Sequence, residues 1–244
     1  AYGESNVNTP FVIGHRGACG DAPENTLASI RMAAEKGALW VEFDSKLSAD
    51  NQVILFHDDN LLRTTGTDAL VADMDWRDLQ NLDAGSRFSD QFAGEKIPLF
   101  SKALELLEEL GLGAVIEIKS SKGREEETAR LSAQMIKSQW PAVLPTPIIS
   151  SFSEQSLEVV RDCVVDIPRA LNVWKTLEGW QSKLRSLDCA ALHCRHELLD
   201  ETSAAAIINA GYDLRAFTLN DPERARVLSN WGVNGIFTDF PDRF

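Results

Sequence analysis

The sequence predicts an α/β protein folded as a TIM-type (β/α)8 barrel, and three observations carry that expectation. From Phe100 to the C-terminus, short apolar runs alternate with helical stretches, the pattern of a parallel sheet. The chain has 244 residues and is 44% hydrophobic, which allows one closed barrel or two small domains; the number of units favours the barrel. Polar residues also gather where the apolar runs end, at His15-Arg16, Glu42 with Asp44, His57-Asp58, Glu117 with Lys119 and Thr218 to Asn220. In a barrel those ends share one face.

Taken in order, Phe11 to Gly14 reads as a buried strand, and Pro23-Glu24-Asn25-Thr26 opens a helix to about Lys36, closed by Gly37. Trp40 to Asp44 and Val53 to Phe56 are strands, the second delivering His57 and Asp58. Asn60 to Pro98 breaks the rhythm and is expected as a small insertion (60–98) after the strand bearing His57, its apolar content too thin for a core of its own. Helices are then expected at 101–110, 125–139, 154–162, 175–186, 200–209 and 222–230. The strands between and after them begin near Ala114, Pro147, Pro168, Ala190, Leu214 and Gly235. That makes about nine strands, one more than a barrel needs, and the Ser45–Gln52 link is too short for a helix. Either one strand is an accessory or that connection returns without its helix. The whole chain, 1–244, is expected to form a single barrel domain.

Composition excludes several roles. A net charge of −13 argues against nucleic-acid binding, which needs clustered Lys and Arg. No apolar run approaches the ~20 residues of a membrane span, so no stable membrane association is expected. Ala1 to Thr9 lacks a signal-peptide pattern, although a signal removed before Ala1 would leave no trace. Cys19, Cys163, Cys189 and Cys194 form no CxxC pair and read as reduced packing residues of a cytoplasmic protein.

Glu42 and Asp44 share one strand face by the i, i+2 rule, as do Glu117 and Lys119. Buried unpaired carboxylates cost several kcal/mol or take up protons. Glu42, Asp44 and Glu117 together make an oxygen-only donor set suited to Mg2+ or Ca2+. Arg16 and Lys119 could hold a phosphate, although a salt-bridge layer at the barrel rim would use Glu117 and Lys119 equally well. His15 and His57 both follow apolar strands; facing a carboxylate cluster, they read as functional and not as capping residues. His193 and His196 lack such neighbours and are expected to be structural or peripheral. Glu24 is expected to serve a helix dipole.

With His15-Arg16-Gly17, Pro23-Glu-Asn-Thr26, Glu42-x-Asp44, His57-Asp58 and Ile116-Glu-Ile-Lys119 in this order, the chain resembles the glycerophosphodiester phosphodiesterase family, most of all its short cytoplasmic bacterial enzymes. Arg63-Thr-Thr, Leu82-Asp-Ala-Gly85, Gly94 to Pro98, Ser150-Ser-Phe152 and Gly232 to Asp239 extend the likeness across essentially the whole chain. The resemblance implies a divalent metal on Glu42, Asp44 and Glu117, His15 and His57 as base and acid, and Arg16 and Lys119 on the phosphate. Phe217 stands where many relatives carry Trp or Tyr, in the wall of the substrate pocket.

The expected activity is hydrolysis of a glycerophosphodiester to sn-glycerol 3-phosphate and an alcohol. Attack comes from water or from the substrate's own glycerol hydroxyl. The rivals are a lysophospholipase D-like activity, which needs an apolar entrance, and a non-catalytic barrel that binds glycerophosphate.

Overall fold

The computed structural model describes residues 7–244; residues 1–6, part of the polar N-terminal stretch, lie outside the described residues. The chain runs from β1 (Val12–Gly14) through α1 (Leu27–Glu35) to β2 (Trp40–Leu47) and β3 (Val53–Leu55). The short helices α2 (Leu62–Thr65) and α3 (Trp76–Leu79) precede α4 (Phe100–Leu110) and β4 (Gly113–Ile118). Regular units follow: α5 (Glu125–Gln139) and β5 (Ile148–Ser151), then α6 (Glu154–Cys163) and β6 (Arg169–Val173). After them come α7 (Trp180–Ser186) and β7 (Ala191–Arg195), α8 (Glu201–Asn209) and β8 (Asp213–Phe217), and α9 (Pro222–Asn230) and β9 (Gly235–Thr238).

Of the nine strands among the described residues, eight are parallel and close into a ring, because β1 pairs with both β2 and β9. The extra strand is β3. It runs antiparallel to β2, with Ser45 opposite Leu55 and Leu47 opposite Val53. Its link to β2 is a hairpin turned by Asn51 at φ 62°, and Ser48 N–H donates to the Gln52 carbonyl at 3.0 Å. The accessory-strand alternative therefore holds, and the strand bearing His57 is not a barrel strand. It belongs to the long β2–α4 connection, which lies on the C-terminal face.

That connection buries more than its composition suggested. Ile54, Phe56, Leu61, Val71, Leu79 and Ile97 form a small cluster, rooted on β3. Lys46, fully buried near the end of β2, ties the connection to the ring through Asp59 at 3.0 Å. Such a charge is tolerable in the interior only because it is paired.

Alternation along the strands sorts the rest. Val41, Phe43 and Leu47 of β2 face outward under the helices, where Phe43 meets Phe100 of α4 edge-to-face at 5.9 Å. Truncating Phe100 to Ala should cost about 3–5 kcal/mol. Trp40 faces inward with Ile13, Val115, Ile148, Ala170 and Ala191, filling the barrel as a layer. A Cβ on Gly113 would lie 2.2 Å from the Trp40 indole, so only glycine leaves room for that ring. At the N-terminal end of β8, Arg215 and Asp213 form a buried ion pair at 3.1 Å. Thr9 Oγ1 accepts from Arg215, and Val7 N–H donates to Asp213. The segment before β1 thus helps close the lower end of the barrel.

Candidate active site

Parallel register sets Asp44 of β2 directly beside Glu117 of β4, and Glu42 lies two residues back on the same face. Oxygens of the three acids come within 4.8 Å of one another, and Glu42 and Asp44 are buried. Asn25, held at φ 55°, donates its side-chain N–H to Asp44 Oδ2 at 2.9 Å and accepts from the Asp44 backbone N–H at 3.1 Å. Arg16 N–H donates to Glu42 Oε2 at 3.0 Å. Arg16 Nε stands 3.5 Å from Asp44, whose buried Oδ1 has no hydrogen-bond partner among the described residues.

The three acids do not share one electrostatic fate. Burial and the neighbouring Asp44 push Glu117 up to about 8, against the pull of Lys119. Burial, with Asp44 and Glu117 adding to it, raises Glu42 well above the usual carboxylate range. Asp44 is held below that range: burial opposes its charge, but Arg16, His57, Lys119 and the Asn25 hydrogen bond outweigh it. An orphaned buried carboxylate oxygen beside two strained acids fits a divalent cation, and this cluster could bind one.

Both predicted histidines face the same cavity, of about 360 Å3, which Arg16, Glu42, Glu117 and Lys119 also line. His15 Nδ1 lies 2.7 Å from Asp239 Oδ1, a carboxylate at the end of β9 that also receives Cys19 Sγ and Asn220 Nδ2. His57 Nδ1 lies 2.6 Å from Asp58 Oδ1. In both dyads the carboxylate on Nδ1 leaves Nε2 as the free ring nitrogen. Burial, together with Arg16 and Lys119, lowers His57 below the ordinary histidine range, although Asp44 and Asp58 resist this.

Sequence reasoning missed what braces these groups. Glu24 does not serve a helix dipole, since α1 starts later, capped by Thr26. Glu24 instead accepts from Arg16 at 3.0 Å and from both Arg63 Nη1 (2.8 Å) and Nη2 (2.6 Å). Arg63 also donates to Asp58, through Nε at 2.8 Å and Nη2 at 3.0 Å. One chain of charge-assisted bonds therefore runs Arg16–Glu24–Arg63–Asp58–His57. The Arg63-Thr-Thr motif was the available signal, but nothing local gave it a partner.

Lys119 Nζ reaches Glu117 at 3.3 Å and also sits 4.9 Å from the Phe152 ring centroid. The salt bridge foreseen at the rim exists, but it lies inside the cavity wall. Phe217 also lines the cavity, stacked on Trp174 at 6.0 Å and edge-on to Phe152 at 5.9 Å. Of the two expectations for His193, structural or peripheral, the second does not hold: it is fully buried on β7 and lines the same cavity, because strand alternation turns it inward with Ala191. His196 lies outside the cavity lining, against Arg224. The four cysteines are free thiols.

The barrel has counterparts among solved structures. A phosphodiesterase from Oleispira antarctica, solved in complex with the product sn-glycerol-3-phosphate, is 40% identical with a TM-score of 0.93, covering 96% of this chain and 95% of that one. A glycerophosphodiester phosphodiesterase from Thermotoga maritima is 25% identical with a TM-score of 0.77, covering 97% of each. The class is that of α/β-barrel phosphodiesterases. In sequence, the glycerophosphoryl diester phosphodiesterase family matches residues 15–243. A glycerophosphodiester phosphodiesterase from Caldanaerobacter subterraneus subsp. tengcongensis is 31% identical over 237 residues, 95% of each chain. The protein belongs to the glycerophosphoryl diester phosphodiesterase family and is a hydrolase of phosphoric diesters. Among the described residues no helix is long and apolar enough to cross a membrane.

Proposed function

We propose that this barrel, as one catalytic domain with residues 60–98 inserted at its mouth, hydrolyses glycerophosphodiesters to sn-glycerol 3-phosphate and a free alcohol. The observation that carries the reading is convergence on one cavity: two histidines with Nδ1 on carboxylates, and two cations beside three acids. Arg16 and Lys119 bind the phosphate oxygens, Arg16 through its fork and Lys119 as a point charge. Glu42, Asp44 and Glu117 would hold Mg2+ or Ca2+, which when bound neutralises charge on the phosphoryl group. Asp239 keeps the His15 proton on Nδ1, so Nε2 takes the proton of the attacking oxygen, either water or the substrate's glycerol hydroxyl. Asp58 accepts from Nδ1–H of doubly protonated His57, whose Nε2–H passes to the leaving alkoxide and leaves the ring neutral. Four free thiols suit a reducing compartment, in keeping with a cytoplasmic enzyme.

A second reading has its own support. Phe152 and Trp174 are 39% and 54% exposed and flank Phe217, giving the cavity an apolar side where an acyl chain could lie, as a lysophospholipase D requires. Offering glycerophosphocholine and lysophosphatidylcholine in parallel with Mg2+ and measuring free choline separates the readings. The expected result is faster release from glycerophosphocholine. The reverse preference favours the lysophospholipid, and release from neither leaves only a glycerophosphate-binding barrel.

The metal expectation has a test independent of turnover. A carboxyl raised to about 8 keeps a proton that the unfolded chain loses near 4.5, so Glu117 makes metal-free protein less stable as pH rises between those values. Thermal midpoints of chelated wild type should therefore fall over that window relative to Glu117→Gln, and Mg2+ or Ca2+ should restore wild type but not the variant. Parallel curves with no metal response would rule out the site.

A further inference from the structure

The cavity has a floor that the chemistry above does not use. Ser150 of β5, Asn172 of β6 and His193 of β7 all line it, from three consecutive strands, and are 2%, 5% and 1% exposed. Register aligns Asn172 directly with His193, and Ser150 pairs with Glu117 on its other side. Three buried polar side chains on one cavity wall are costly unless something meets their hydrogen bonds. The protein meets few of them. Asn172 Nδ2 reaches Ser150 Oγ only at 3.5 Å, and the one hydrogen bond of the His193 ring among the described residues is with Arg215 Nη1, 3.3 Å from Nε2.

That contact fixes the tautomer. A guanidinium can only donate, so His193 Nε2 must accept and the ring proton resides on Nδ1. Phe237 packs against the ring at 5.1 Å and limits its rotation. Burial, with Arg215 adding to it, holds the imidazole well below the ordinary histidine range, hence neutral. His193 is thus a neutral N–H donor at Nδ1, which has no partner among the described residues. Asn172 adds an amide that can donate and accept, and Ser150 a hydroxyl.

We propose that Ser150, Asn172 and His193 form a recognition site for the vicinal hydroxyls of the substrate's glycerol, with Arg215 as the residue that sets His193 as donor. This rests on the reading of the protein as a glycerophosphodiester hydrolase and says which end of the diester lies inward. Neutral, mixed donors and acceptors match hydroxyls, which both give and take hydrogen bonds. A cationic head group is disfavoured there, because none of the three side chains carries a negative charge to meet it. The leaving alcohol then faces the aromatic mouth of Phe152, Trp174 and Phe217, where size is less constrained. Specificity for glycerol arises at the floor, since an analogue without hydroxyls leaves buried polar groups unpaired.

The test compares glycerophosphocholine with ethyl phosphocholine, a choline diester with a shorter alkyl group and no hydroxyls, on wild type, Asn172→Leu and His193→Phe. Asn172→Leu nearly conserves volume and leaves Arg215 undisturbed, so it remains informative if His193→Phe fails to fold. Wild type should prefer the glycerol diester in kcat/KM, and each folded variant should lose about tenfold to a hundredfold on that substrate while changing little on ethyl phosphocholine. Equal losses on both substrates, or no wild-type preference, would overturn the proposal. If wild type cleaves neither diester, the hydrolase reading fails instead. Titration calorimetry with sn-glycerol 3-phosphate and ethyl phosphate then decides the floor: tighter binding of the former, lost in Asn172→Leu, sustains it, and equal binding ends it.

Discussion

His15 and His57 make the same contact by different means. His15 leaves the end of β1, inside the ring, and finds Asp239 at the end of β9, 224 positions away but on the neighbouring strand. His57 leaves β3, outside the ring, and takes its own neighbour Asp58. The first dyad is held by the barrel itself, with Asn220 fixing Asp239 from both its side-chain N–H and its carbonyl oxygen. The second dyad stands on a connection, and needs Arg63 and Glu24 to tie it back to Arg16. A dyad on rigid scaffold is braced by the strand ends beside it, whereas one on a long loop is tied back through a longer chain of ion pairs.

If the dyads also divide the chemistry, the largest effects come from removing the rings. His15→Ala and His57→Ala should each lose about 100- to 10,000-fold in kcat on glycerophosphocholine. On a nitrophenyl diester, whose leaving group needs no proton, His57→Ala should recover most of its loss and His15→Ala should not. Equal recovery, or none in either, would mean that the difference in scaffold carries no difference in role.

The carboxylate partners sharpen the contrast. In Asp239→Asn the amide can offer N–H to His15 Nδ1 and favour the wrong tautomer, so a loss on the order of 1,000-fold or more in kcat is expected. Arg63→Gln leaves Asp58 beside His57 but unbraced, and a misplaced ring should cost about tenfold to a hundredfold. It should also raise KM modestly, because Glu24 then pairs with Arg16 alone. Steady-state kinetics with thermal midpoints as controls read both. An Arg63→Gln loss as large as that of Asp239→Asn would mean that the network is part of the chemistry and not only its support.

The same contrast explains what was legible in the sequence. Period-two alternation exposed Glu42, Asp44, Glu117 and Lys119, because i, i+2 spacing is local and survives without any knowledge of the fold. The ring followed from repeated strand–helix units, and the boundaries of α5, α9 and β9 agree with expectation. Asp239 as the partner of His15 was not legible, since ring closure between β1 and β9 is what joins them. Glu24 was misread because Pro23 resembles a helix start, while Thr26 makes the cap. His193 was set aside for want of polar neighbours in sequence, yet its neighbours are one strand away on either side: Asn172 and Arg215.

The smallest effect is a displacement of pH profiles, and it tests whether the dyad on the loop is tuned by the site it faces. In the free enzyme burial lowers His57, with Arg16 and Lys119 acting in the same direction. A phosphodiester anion bound between those cations offsets their charge, and so favours the protonated ring more in the complex than in the free enzyme. An acid must be protonated to act, so the rate it controls falls as pH rises through its pKa. The profile of kcat/KM reports the free enzyme and that of kcat the complex. With Mg2+ held constant, the alkaline fall set by His57 should therefore come at lower pH in kcat/KM than in kcat, with KM rising between the two. His57→Ala should abolish that fall in both profiles while retaining the limb set by the base. Coincident limbs would mean that the substrate's charge does not reach His57, and a limb that persists in His57→Ala would move the general acid to another residue.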